Sequence, residues 1–379
     1  MPVKNLRLRV RQLSTVHAIG DTRVLHKECR SLVDAGYDVA LIASHPTDEV
    51  VSGVQVLGIG MPRNRFDRAT RKAFQLFVRA LRERADIYHF HDPELIGVGL
   101  ALKALGKTVV YDVHEDVPLQ IMNKFWIPGW AKRPLAAAAR FAERLAGRLL
   151  DGIVTATPSI AGKTFPGRST RVFPAAKTVV VQNFPEVGLA AERNETPFES
   201  RGNAFVYVGG LSEQQGLMEM LAAFDRLPAG LSGTLAGKFK QREAEARAMP
   251  GWSRVHYLGE VGRTEVVAAL RDARCGIVLD HPITNYVDAY STKMFEYMAC
   301  GIPVICSNFP LWDEIVEQTG CGVTVDPFDI DAAASALTTY NTDPALAAEV
   351  GERGRQAILT TYNWGNEFAR LTELYERIS

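Results

Sequence analysis

The chain has 379 residues, 47% of them hydrophobic and 23% charged, with Lys+Arg and Asp+Glu balanced at 43 each. That length exceeds the comfortable size of one core and predicts two domains, while the composition is that of an ordinary globular protein without low-complexity tracts. No run approaches the roughly 18 apolar residues of a membrane span, and Cys29, Cys275, Cys300, Cys306 and Cys321 lack any C-x-x-C spacing, which argues against a disulfide framework or structural zinc and for reduced thiols in the cytoplasm.

Zero net charge conceals an asymmetry. The first 182 residues carry a surplus of eleven positive charges and the remainder an equal negative one, so the first half is expected to meet something anionic. In chain order, residues 1–16 alternate Leu6, Leu8 and Val10 with Arg7, Arg9 and Arg11, as a first strand does and a secretory signal does not. Apolar runs at 39–43, 87–90, 109–113, 153–156 and 179–181 read as strands with helical segments between them, the βαβ pattern of a parallel sheet. The segment 63–84 holds eight basic and two acidic residues. Its Phe66, Phe74, Phe77 and Leu81 can lie on an anionic membrane or pack on the domain's own sheet. Trp126 and Trp130, ahead of Lys132 and Arg133, could anchor at an interface or simply pack. No nucleic-acid recognition motif accompanies these cations, so no nucleic acid is expected. The polar, turn-prone stretch 183–203 reads as a hinge. Strands resume near 204–208, 234–236, 255–258, 275–279, 304–306 and 322–325. The expected domains are 1–182 and 204–362, with 363–379 as a terminal helix. Ligands of open α/β sheets bind beyond the carboxyl ends of the strands, so two such domains facing each other would create a cleft.

The most informative stretch runs from Asp288 to Val304. Ser291 or Thr292 can cap a helix that Gly301 and Pro303 end. Unpaired N–H groups at such a helix start can hold a diphosphate on the amides of Tyr290, Ser291 and Thr292. Asp288 and Glu296 flank it, and a carboxylate accepts hydrogen bonds from vicinal sugar hydroxyls. Lys293, in the first turn, is placed to neutralise a leaving diphosphate, and Lys238, following a predicted strand, is a second candidate. Asp329-Ile330-Asp331 has D-x-D form but sits where an Asp would cap the next helix, and no metal site is expected.

Phe295-Glu296-Tyr297-Met298-Ala299-x-Gly301-x-Pro303-Val304, with an acid eight residues upstream, resembles the donor-site signature of glycosyltransferase family 4. His89-Phe90-His91-Asp92-Pro93-Glu94-Leu95, Tyr111-Asp112-Val113-His114-Glu115-Asp116 and Tyr207-Val208-Gly209-Gly210 resemble that family in the expected order, most closely its bacterial polysaccharide-assembly branch. The resemblance covers nearly the whole chain. It implies a GT-B fold of two Rossmann-like doubly wound domains, with the donor on the C-terminal domain, the acceptor on the N-terminal one, and a last helix returning to the first. It also implies a retaining, metal-independent transfer from a nucleotide sugar, a UDP-sugar ahead of a GDP-sugar, to a carbohydrate or lipid-linked acceptor, with no cofactor. The enzyme is expected in the cytoplasm, with peripheral contact at the inner face of the membrane.

By the same resemblance, Glu296 takes the ribose, and His114 meets the donor sugar or diphosphate. Backbone at Glu260 and Val261 would hold the base, and Gly20 brings backbone near the donor. Asp21, Arg23 and Lys27 after it, with His91 and Asp92, fall on the acceptor side, although Asp92 before Pro93 reads more readily as a helix N-cap. The sequence departs from the family where most members carry an Arg and a Lys: Gly210 and Gln215 stand there, and Asp288 replaces the usual Glu. The phosphate-binding work then shifts to Lys293 and Lys238, or catalysis is weakened and the chain is an impaired GT-B-like subunit that supports a partner enzyme. An epimerase or phosphorylase sharing the fold is a third reading, disfavoured by the Glu296 signature.

Overall fold

A computed structural model describes residues 8–124, 127–162, 173–287 and 289–379. The chain divides into two compact units, Met1–Asn183 with Glu367–Ser379, and Phe184–Asn366.

The first unit is built on an eight-stranded sheet. Its strands are β1 (Arg9–Ser14), β2 (Asp38–Ala43), β3 (Glu49–Val51), β4 (Val54–Gly58), β5 (Ile87–Phe90), β6 (Thr108–Val113), β7 (Gly152–Thr155) and β8 (Thr178–Val180). The order is β3-β4-β2-β1-β5-β6-β7-β8, parallel throughout except for the β3–β4 hairpin. β1 lies at the centre, with Val10 opposite Val39 on one side and Ile87 on the other. Continuous Val, Ile and Leu runs suit strands buried on both faces. Leu13, Ile42, Tyr88, Phe90, Tyr111 and Ile153 form the core, and the Phe90 and Tyr111 rings stack at 4.6 Å.

The second unit carries β9 (Val206–Val208), β10 (Gly233–Ala236), β11 (Val255–Gly259), β12 (Gly276–Val278), β13 (Val304–Ser307) and β14 (Gly322–Val325). Their order, β11-β10-β9-β12-β13-β14, is the 3-2-1-4-5-6 of a doubly wound fold, and every pairing is parallel. The strand order reverses between β9 and β12, and in the first unit between β1 and β5. Phe205 stacks on Phe224 at 3.7 Å. Gly276 lies under the Tyr297 ring, where an added Cβ would come within 2.2 Å of it; this contact seats the helix Thr292–Ala299 on β12.

Several expectations need refinement. Residues 184–203, polar by composition, group with the second unit because Phe184, Ala190 and Phe198 are buried; Phe184 meets Phe295 at 4.7 Å. The basic segment is helical from Arg65 to Glu83, but its aromatics divide. Phe77 and Leu81 pack against the core, whereas Phe66 and Phe74 are 78% and 66% exposed. Its cations divide too: Arg68 pairs with Glu94, Arg71 with Asp67, and the buried Lys72 ammonium donates to the Ile59 carbonyl. Trp130 is 82% exposed; Trp126 lies outside the described residues. The five cysteines are buried free thiols. Among the described residues, no helix is long and apolar enough to cross a membrane. The last helix, Trp364–Ile378, joins the first unit from Glu367 onward. There the Glu367 carboxylate accepts the Gln182 amide and the buried Tyr375 hydroxyl reaches Gln12 and His89.

Candidate functional site

At the switch point of the second sheet, β9 ends in Gly209-Gly210. Gly209 has φ +152° and donates its amide to Ala236, and the Gly210 carbonyl accepts the Tyr207 hydroxyl. A two-way exchange ties this turn to the loop after β10: the Leu211 amide donates to Lys238, and the Lys240 amide to Leu211, each at 2.9 Å. The bare backbone leaves room for two lysine stems. A Cβ at Gly209 would stand 2.6 Å from Lys293 Cε, and one at Gly210 would stand 2.4 Å from Lys240 Cε. Lys293 extends over the Tyr207 ring at 5.5 Å. Burial pulls its pKa below the ordinary lysine value, against the pull of Asp280. Asp280 is itself buried just past β12. Burial pushes its carboxyl up while Lys293, His281 and Lys240 draw it down.

The helix Thr292–Ala299 begins at this rim. Ser291 occupies the N-cap position, but its hydroxyl makes no capping bond. That buried oxygen finds no partner among the described residues, nor does Asp280 Oδ1. The expected serine cap is therefore incomplete, which leaves the hydroxyl and first-turn amides available to an anion. Glu296 is half-buried and already engaged, accepting from Arg263 Nη1 at 2.5 Å. Tyr290 packs edge-on against Phe184 and Phe295, and Thr292 is exposed. Gln215 is buried, its Oε1 accepting from Ser212 and, at 3.5 Å, from Lys240. Glu260 and Val261 follow β11, whose Gly259 carbonyl accepts the Gly237 amide. Lys238 is exposed, as is Lys240, two residues on, whose stem lies over Gly210. Asp288 lies outside the described residues. A depression of about 780 Å³ lined by Phe198, Arg201, Cys300 and Arg355 lies at the opposite end of the Thr292–Ala299 helix from these groups.

In the first unit, the carboxyl ends of β1, β5 and β6 gather four histidines and four acids. Gly20 (φ +100°) turns the chain into the helix Thr22–Cys29, which Asp21 caps by accepting the Arg23 and Val24 amides. Burial would raise Asp21, but those bonds and His17 hold it well below the usual carboxylate range. Arg23 and Lys27, expected on the acceptor side, are instead spent inside the domain. The buried Arg23 guanidinium bonds Asp112 and the Val181 carbonyl and pairs with Glu28; Lys27 Nζ donates to Asn183. Asp92 holds the N-cap position before Pro93 without a capping bond. Its carboxylate serves the end of β1, accepting the Thr15 amide at 2.5 Å, the Val16 amide and the Ser14 hydroxyl. The backbone N–H groups past β1 outcompete the helix start because they reach one oxygen together.

His91 and His114 meet at Asp112. Gln12 Oε1 lies 2.7 Å from His91 Nε2, and His91 Nδ1 lies 3.2 Å from both Asp112 Oδ2 and His114 Nε2. His114 Nε2, 2.9 Å from the same Asp112 oxygen, donates to that carboxylate, so in the neutral ring its Nδ1 carries the lone pair. Burial lowers His91 to about 4, keeping it neutral. Burial opposes the charge on Asp112, yet Arg23 and His114 hold it ionised, while burial beside it pushes Glu28 well above the carboxylate range. Glu28, His89, His91 and Asp112 bring their ligand-type atoms within 4.8 Å of one another; Arg23 already supplies the cation facing both acids. His17, absent from the sequence-based candidates, tilts against His114 at 4.7 Å and lies between Asp21 and Asp92. Burial disfavours its charge, but Asp21 and Asp92 outweigh this and raise its pKa.

Comparison with known proteins matches this arrangement. The family described as Glycosyl transferase 4-like domain matches residues 20–183, and Glycosyl transferases group 1 matches residues 190–357. Glycogen synthase of Mycobacterium tuberculosis is 24% identical over 93% of this chain and 90% of its own. A GDP-mannose-dependent phosphatidylinositol monomannoside mannosyltransferase of Mycolicibacterium smegmatis is 34% identical over 23% of each chain. Among solved structures, Anabaena HepE in complex with UDP superposes with TM-score 0.75 at 14% identity, covering 98% of this chain and 100% of HepE. Sucrose-phosphate synthase of Thermosynechococcus elongatus does so with TM-score 0.71 at 18% identity, covering 98% and 99%. Two doubly wound sheets, an anion-ready turn at the second switch point and family matches spanning both units identify the chain as a nucleotide-sugar glycosyltransferase belonging to family 4, of GT-B fold.

Proposed function

We propose that this enzyme is a retaining, metal-independent transferase moving a sugar from a UDP-sugar to a hydroxyl of a carbohydrate or lipid-linked acceptor in bacterial polysaccharide or glycoconjugate assembly. The observation that carries the reading is the pair of lysine stems, Lys293 and Lys240, over Gly209-Gly210, together with a buried Ser291 hydroxyl that has no partner among the described residues at a helix start. As the bond from the anomeric carbon to the diphosphate breaks, negative charge grows on the leaving oxygen. Fixed cations and amides stabilise it at no reorganisation cost. Glu296 binds the ribose once Arg263 yields or shares its carboxylate. The Nδ1 of His114 accepts a hydrogen bond from a sugar hydroxyl, its other nitrogen being held by Asp112. The uridine preference is supported by HepE, whose structures hold UDP and UDP-glucose, and retention by family membership. The test is a thermal-shift and nucleotide-release screen of UDP- and GDP-sugars, because a ligand selective for the folded state raises stability by mass action. Selective stabilisation by UDP-sugars with acceptor-dependent release supports the reading. Binding without turnover favours the impaired-subunit alternative motivated by Gly210 and Gln215.

The proposal includes peripheral contact with anionic membrane, supported by exposed Phe66 and Phe74 on the basic helical segment and exposed Trp130 and Phe141 elsewhere in the first unit. Vesicles containing acidic lipid should retain the protein at low salt and release it as screening rises. Arg82→Glu with Arg84→Glu is a better probe than changes at Arg68, Arg71 or Lys72, which have internal partners. Salt-insensitive or absent binding would remove this part.

A further inference from the structure

We propose that Lys240 is a second leaving-group cation, and that Gly209-Gly210 is a bare platform whose two missing side chains bring Lys293 and Lys240 together on the diphosphate of the donor. The inference rests on the donor site proposed above. Each lysine stem lies on one glycine: Lys293 Cε where a Gly209 Cβ would be, at 2.6 Å, and Lys240 Cε and Nζ where a Gly210 Cβ would be, at 2.4 and 2.8 Å. The backbone exchange between Leu211 and residues 238 and 240 fixes the Lys240 stem over Gly210. Its ammonium has one long contact, 3.5 Å to Gln215 Oε1, and neither lysine has a salt-bridge partner among the described residues. Two cations crowded together repel, and Asp280, the acid that pulls on both, forms no salt bridge with either among the described residues, so an arriving anion stabilises the arrangement. A diphosphate carries enough charge and acceptor oxygens for both ammonium groups, and the unpartnered Ser291 hydroxyl is a neutral donor to it.

In the transfer, the bond between anomeric carbon and phosphate oxygen breaks with its electron pair on that oxygen. The acceptor oxygen forms the new bond and gives up its proton to the departing phosphate. The lysines lower the energy of the departing diphosphate and transfer nothing themselves. An uncharged Gln215 and an absent side chain at 210 thus mark a relocated cation and not a missing one.

The platform predicts a specific coupling. Lys240→Ala and Gly210→Ala should each weaken binding of inorganic pyrophosphate and of UDP by about tenfold, the loss of one charged contact. The double variant should be no worse than either single one, because both remove the same ammonium from the same place. Calorimetric titration of the full chain with pyrophosphate reads this without any sugar transfer, so it stays informative should the proposed transfer fail. Circular dichroism and the melting temperature check that each variant is folded, and Lys240→Arg, which keeps the charge, should retain most of the affinity. Wild-type affinity in Lys240→Ala, or independent, additive losses in the double variant, would overturn the inference.

Discussion

Removing the Glu296 carboxylate should separate donor binding from stability. Among the described residues Glu296 is ion-paired only with Arg263, whose side chain is 58% exposed, and it sits in a helix otherwise held by buried Met294, Phe295, Tyr297 and Met298. An exposed partner limits the stabilising contribution of such a pair to about 0–1 kcal/mol, so Glu296→Ala should unfold in urea nearly where the wild type does. A charge-assisted bond to a ribose hydroxyl is worth about 1.5–3 kcal/mol, roughly a ten- to hundredfold loss of donor affinity. Arg263→Ala should have the opposite sign: without its competing partner the carboxylate meets the ribose unopposed, and affinity should hold or rise. Isothermal titration with UDP, alongside urea denaturation of both variants, makes the comparison. Unchanged affinity in Glu296→Ala, or parallel losses in both variants, would refute the assignment and leave the pair as a structural tie.

Lys293→Ala should lower turnover more than donor affinity, since charge on the leaving diphosphate grows only as the bond breaks; steady-state kinetics check this, and Lys238→Ala, changing an exposed side chain, should have the smaller effect. The pH dependence of stability should carry a signature of His17. Its folded-state pKa is raised above the ordinary value near 6.5, so its contribution is full below about pH 6.5 and is lost as pH climbs through the higher folded value. Urea midpoints of wild type and His17→Gln should therefore differ most at about pH 5 and converge as the pH rises through that window. Gly276→Ala would drive a methyl to 2.2 Å from the buried Tyr297 ring, an overpacking cost of about 1–3 kcal/mol measurable as a lower urea midpoint.

Much of the architecture is legible in the sequence because doubly buried parallel strands must be continuous apolar runs, and those runs alternate with helical periods on both sides of residue 183. The β3–β4 hairpin escaped, although Val51-Ser52-Gly53-Val54 contains its turn: Ser52 and Gly53 both have positive φ, the requirement that a two-residue hairpin loop imposes. The start of the Thr292–Ala299 helix and the Glu296 carboxylate could be read from local spacing. Contacts between distant loops could not. Arg263 reaches Glu296 across 33 positions, and Lys240 lies over Gly210 only because β9 and β10 are neighbours in the sheet. A similar limit hid the partners of Asp92 and Arg23. A carboxylate before proline reads as a cap, and an arginine after a glycine loop reads as a ligand contact, until the fold brings the Thr15 amide and Asp112 to them. His17 had a findable signal, a histidine four residues before the Asp21 cap, but its tilted contact with His114 depends on β1 and β6 ending at the same edge.

The most direct measurement is the anomeric configuration of the product formed from an α-linked UDP-sugar and a hydroxyl acceptor, read by NMR alongside release of UDP. Retaining transfer supported by the donor's own departing phosphate predicts an α-linked product, stoichiometric UDP, and activity that persists in chelator. A β-linked product, or transfer abolished by chelation and restored by a divalent cation, would contradict it.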